Sequence, residues 1–117
     1  MKIEQLKEII HIERRFVMPT IRAMAQALRK QGYEQAKKGK YADFPIPTIL
    51  KGSERETEWR MDCTGRFEFK GSIYTNVEGA AGAEFIAISV NKIDKEKDMS
   101  IPYSLMWFVK EGSNDED

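Results

Sequence analysis

The sequence predicts an α+β domain: an N-terminal kinked helix (or helix pair) packed on a four-stranded antiparallel β-meander. Three observations carry this. Apolar residues from Ile3 to Leu28 recur at helical spacing. Two segments between 56 and 73 alternate apolar and polar residues with period two. Two more apolar runs, at 85–90 and 101–109, are bounded by loop-forming stretches. A chain of 117 residues suits one domain, here 1–111, with residues 2–39 helical, 44–50 extended and 56–110 in the sheet. Residues 112–117 read as a disordered acidic tail.

In the helical half, Ile3, Leu6, Ile10, Val17, Ile21, Met24 and Leu28 form one stripe, which Ile9, Ile12, Phe16 and Ala23 widen. Arg15, Arg22 and Arg29 line its flank. Pro19 breaks the pattern, because proline removes a backbone donor and clashes with the preceding turn. The stripe nevertheless keeps phase from Val17 to Ile21. That favours a kink, or a second helix with Pro19 in its first turn. Gly32 is a weak spot, and Lys37-Lys38-Gly39 marks the expected end. In Phe44-Pro45-Ile46-Pro47-Thr48-Ile49-Leu50 the two prolines enforce an extended run, apolar enough to pack on the core.

The first hairpin has the sharpest local pattern. Trp59 and Met61 alternate with Glu58, Arg60 and Asp62. Phe67, Phe69 and Ile73 alternate with Arg66, Glu68, Lys70 and Ser72. A three-residue loop, Cys63-Thr64-Gly65, sets Met61 opposite Phe67 and Trp59 opposite Phe69 on the inner side. The same register pairs Asp62 with Arg66, Arg60 with Glu68 and Glu58 with Lys70 on the wet side. The small residues of 74–83 read as a mobile connection, and the charged residues 91–98 as a solvated loop. The last two strands, Phe85–Val90 and Ile101–Val109, carry apolar residues on both faces. One face takes the helix. The other takes the Phe44–Leu50 segment or a partner subunit. The order of helix then meander resembles cystatin-like folds and some small phage neck and tail-completion proteins, in element order alone.

Composition excludes several function classes. One cysteine rules out an intrachain disulfide, and one histidine rules out a multi-histidine metal site. No apolar run reaches membrane-span length, and the first residues hold acids where a signal peptide needs an apolar stretch, so the expected location is cytoplasmic. Asp94, Glu96 and Asp98 alternate like calcium ligands, but the central glycine and distal glutamate of such a loop are missing. His11 sits beside the helical stripe, and Cys63 in a loop with no base linked to it. No metal, cofactor, nucleotide or nucleophile-elbow motif is present.

The zero net charge hides a split. Residues 1–51 carry eleven Lys/Arg and five Asp/Glu, a net of +6; residues 52–117 carry eight and fourteen, a net of −6. The expectation is a non-enzymatic interaction or assembly protein that self-associates, as a homo-oligomer, or docks on a protein partner through its last two strands, with the basic helix as a second contact surface. Tyr103, Leu105, Trp107, Phe85 and Phe108 are its expected contact residues. An alternative is a nucleic-acid-binding accessory module, with Arg15, Arg22, Arg29, Lys30, Lys37 and Lys38 meeting phosphates. A second alternative is a small pocket enzyme of cystatin-like layout with His11 as acid or base.

Overall fold

The computed structural model describes residues 1–10, 17–35, 52–80 and 82–111. Helices α1 (Ile3–Ile10) and α2 (Val17–Lys30) precede five strands: β1 (Glu34–Gln35), β2 (Glu54–Met61), β3 (Phe67–Thr75), β4 (Glu84–Asp94) and β5 (Met99–Lys110). The strands form one antiparallel sheet in the order β1-β5-β4-β3-β2. The α+β meander is the one the sequence predicts, with a fifth strand added beside β5. Two residues, Glu34 and Gln35, are too few to show a period. The expected kink region, residues 11–16, and the extended segment 44–50 lie outside the described residues.

α2 is shorter than the spacing predicts, ending at Lys30 rather than near Gly39. Gly32 is the reason. At a φ of +93° it takes the left-handed conformation that ends helices. The Tyr33 N–H then donates to the Leu28 carbonyl at 3.1 Å, and the Gly32 N–H to that of Arg29 at 3.0 Å. Leu28 and Tyr33 are both buried in the core behind this cap.

That core lies between the helices and one sheet face. Leu6 and Ile10 come from α1, Met24 and Leu28 from α2. The sheet contributes Phe69 and Ile73 of β3, Ile86, Ile88 and Val90 of β4, and Phe108 of β5. The tightest approach is at Gly71 of β3. A Cβ there would lie 2.9 Å from Leu6 Cδ2 and 3.0 Å from Leu6 Cγ, so glycine lets α1 close on the sheet. The N-terminus is fastened beside this core. The Met1 ammonium donates to both Glu84 oxygens at 2.8 and 2.9 Å, and the Tyr33 hydroxyl donates to Glu84 as well. Burial, then the hydrogen bond and charge of Glu84, raise the Tyr33 pKa well above the usual tyrosine value.

The opposite face is covered at one end. Of the stretch 74–83, expected to be a mobile connection, Tyr74 and Thr75 complete β3, and described residues after them pack back onto the sheet. Val77, Ala80 and Ala83 are buried against Tyr74, Phe85 and Ala87, with Trp107 and Val109 beside them. Two successive turns hold it, Ala80 N–H to Val77 C=O and Ala83 N–H to Ala80 C=O, each at 3.1 Å.

The first hairpin departs from the expected register by one residue. Trp59 faces Lys70, Arg60 faces Phe69, and Met61 faces Glu68. Trp59 and Met61 therefore point away from the helices, and Glu56, Glu58 and Arg60 take the helix side. The expected pairs of Arg60 with Glu68 and Glu58 with Lys70 do not form; Arg60 bonds Glu58 on its own strand at 3.4 Å. Asp62 sets the register. Its buried carboxylate accepts the Thr64 hydroxyl at 2.6 Å and the backbone N–H groups of Arg66 and Phe67 at 2.8 and 3.2 Å. This closes a four-residue loop, 63–66, with Gly65 at a φ of +70°. Burial raises the Asp62 pKa. Hydrogen bonds from Thr64 and from the backbone of Phe67, Arg66 and Gly65 outweigh that and hold it below the usual carboxylate value.

The first half of the segment 91–98 is strand rather than loop, and residues 95–98 form the turn. β4 and β5 stay paired as far as Asp94 and Met99. The Asp94 carboxylate accepts the N–H groups of Glu96 and Lys97 at 3.1 and 3.2 Å, closing the turn. β3 pairs with β4 no further than Lys92, so the hairpin tip runs on as two strands. A bulge sits at Val90/Asn91, opposite Pro102 to Ser104.

Two outcomes follow from this packing. Gly71→Ala is expected to cost about 1–3 kcal/mol through overpacking. Combined with Leu6→Ala it should cost less than the sum of the single changes, because the truncation makes room; strict additivity in urea melts would contradict the contact. Asp62→Asn is expected to cost about 1–3 kcal/mol at pH 7, since charge-assisted bonds are lost. The carboxylate's lowered folded pKa makes its contribution complete above the unfolded value of about 3.9, and it fades as pH falls through the folded value. The gap between wild type and Asp62→Asn should therefore close in acid. A gap constant from pH 7 to pH 2 would remove Asp62 as the loop's charged lock.

Candidate interaction surface

Among the described residues, large apolar side chains reach solvent mainly on two strands. Trp59 and Met61 on β2, and Met99, Ile101, Tyr103 and Leu105 on β5, are each between 43% and 59% exposed. Strand parity and register divide them. Leu105, Ser89, Lys70 and Trp59 form one row across the face turned away from the helices. On that row Lys70 Nζ sits 4.6 Å from the Trp59 ring centroid, so its charge rides over the indole. The Tyr103 ring packs edge-on to Phe67 at 5.4 Å, which places it on the helix side. Met99 and Ile101 follow on the hairpin tip.

Of the expected contact residues, Tyr103 and Leu105 are exposed as required. Trp107 is half-buried, its ring 5.6 Å from that of Tyr74. Its indole N–H is buried without a partner among the described residues. Phe85 and Phe108 are fully buried, one on each side of the sheet, and are core residues. The sequence reading missed Met99, Ile101, Trp59 and Met61. Met99 lies on strand that extends β5 before its expected start, and Ile101 stands at that expected start without being named as a contact. Trp59 and Met61 were assigned inward by the one-residue slip.

The basic residues divide likewise. Arg22, Arg29 and Lys30 are exposed along α2, which contains no acid. Arg29 donates to the Gln35 side-chain oxygen at 3.0 Å. Arg15, Lys37 and Lys38 lie outside the described residues, as does His11. Cys63 is exposed in the loop between β2 and β3. A shallow hollow at the β4–β5 tip, about 410 Å³, is lined by Lys92, Ile93, Asp94, Lys95, Glu96 and Ile101. No cluster of His, Cys, Asp or Glu suited to a metal ion occurs among the described residues. None of their helices is long and apolar enough to cross a membrane.

No family model, curated protein or solved structure matches this chain.

Proposed function

We propose that this protein is a non-enzymatic interaction and assembly protein, self-associating or docking on a protein partner through the apolar side chains of β5. The observation that carries this reading is the run Met99, Ile101, Tyr103 and Leu105, about half exposed on one strand. From Met99 to Val109 that strand holds no charged residue. Burying such side chains releases about 25 cal/mol per Å² of apolar surface, and charge depletion at the centre is what separates interface cores from ordinary surface. A partner-facing role also supplies a reason for Trp59 and Met61 to stand in solvent.

Sedimentation at low and moderate salt tests it. The native chain is expected to form a discrete, salt-tolerant oligomer. Ile101→Glu and Leu105→Glu, both on exposed positions, should return it to monomer while leaving the melting transition intact. A native chain that is monomeric at every concentration sinks self-association. A native oligomer that survives both substitutions sinks the β5 surface.

A second reading, nucleic-acid binding, is favoured by the acid-free, base-bearing exposed face of α2. It predicts low-salt, sequence-independent binding to short DNA or RNA that fades as salt rises. Arg22→Glu with Arg29→Glu should abolish that binding, and unchanged affinity would rule it out.

A further inference from the structure

The end of β5 meets the end of α2. Lys110, the last residue of β5, donates from Nζ to the Gln31 carbonyl at 3.2 Å, and its Cε lies 3.4 Å from where a Cβ on Gly32 would stand. Val109 pairs with Glu34, just past the helix cap. The chain therefore leaves the sheet beside Arg29 and Lys30, both exposed on the last turn of α2. The following residues are Gly112-Ser113-Asn114-Asp115-Glu116-Asp117, with three successive acids and no base.

We propose that residues 112–117 dock on the basic C-terminal end of α2, so that the chain covers its own cationic surface. Length permits it. Asp115 lies five residue steps beyond Lys110, an extended reach of about 17 Å. Arg22 to Lys30 spans eight residues of helix, about 12 Å. Asp115, Glu116 and Asp117 thus reach Lys30 and Arg29, with Arg22 at the limit. The carbonyl end of a helix repels anions, but here several of the carbonyls at that end are occupied. Leu28 and Arg29 accept from Tyr33 and Gly32, and Gln31 accepts from Lys110. What faces outward is the side-chain charge. Exposed ion pairs are individually weak. A short tether offsets this by holding the acids at an effective concentration on the order of millimolar. The inference goes beyond the assembly reading and uses none of its contact residues.

Zero-length carbodiimide cross-linking of the full chain tests it, on an equal mixture of unlabelled and ¹⁵N-labelled protein read by peptide mass spectrometry. At low salt Lys30 is expected to join Asp115, Glu116 or Asp117 in pairs of a single isotope. These links should be lost at 1 M salt, where the Debye length is about 3 Å. Lys95 and Lys97, at the opposite end of the β4–β5 hairpin, should not join the tail. Absence of the Lys30 link overturns the proposal, as does a tail joined equally to Lys95 and Lys97. Mixed-isotope links would overturn it too, since they make a second copy the occupant of α2.

Discussion

The close approach of α1 to β3 at Gly71 sets how the rest of the molecule is arranged. Leu6 occupies the space a side chain would take at that position, and it is fully buried there. With Leu6 fixed, Ile10 falls one turn further along the same face, and both bury against the sheet. Fully burying side chains of this size contributes about 1.5–3 kcal/mol each. α1 has only eight residues, too few to be helical alone in water. Its helicity is a consequence of packing, and Gly71 is what lets the packing close. The Met1 ammonium and Glu84 then fasten the helix start to the beginning of β4.

Coverage of the sheet is uneven, and that unevenness makes the candidate surface. Two short helices cover the middle of one face. Val77, Ala80 and Ala83, from the loop after β3, cover one end of the other. β4 and β5 outrun both covers, because they pair over eleven and twelve residues while β3 has nine. The apolar side chains past the covers are the ones left half exposed. The same hydrophobic excess makes a core where a helix or loop lies over it and a surface where none of the described residues does.

The helical stripe and the meander were legible because each repeats over many residues. Leu6, Ile10, Ile21, Met24 and Leu28 all point where the spacing put them. The errors came from single residues whose local chemistry outweighed a repeat. Asp62 looked like one member of a charge-paired ladder, but its carboxylate caps the loop with two backbone N–H groups and a hydroxyl. Those bonds are shorter-range and better shielded than surface pairs worth 0–1 kcal/mol, so they chose the register. The cost is visible at Arg60, turned to the helix side with its Nε buried and unpartnered among the described residues. Gly32 reads in the sequence as no more than a weak spot, because another glycine, behind two lysines, matches the composition of a helix end. Conformation decides a cap, and a sequence shows composition only. Tyr103 and Leu105 were legible as surface. Phe85 and Phe108 were not separable from them, since burial depends on which cover lies above each position.

An uncharged strand beside solvent invites unregulated strand addition, which natural sheets commonly resist with lysines at the edge. β5 has none between Met99 and Val109. It has other devices. Pro102 offers no N–H to an incoming strand, and the irregularity opposite Val90/Asn91 breaks the ladder's rhythm at the same place. β1 closes the ladder at Phe108 and Val109. Backbone addition is thus interrupted in the first half of β5 and blocked near its end, while Ile101, Tyr103 and Leu105 remain offered as side chains. Such a strand favours recognition by shape and apolar contact over open-ended backbone pairing. On the proposed assembly reading, that distinction separates a closed assembly, with a finite number of subunits, from a growing fibre.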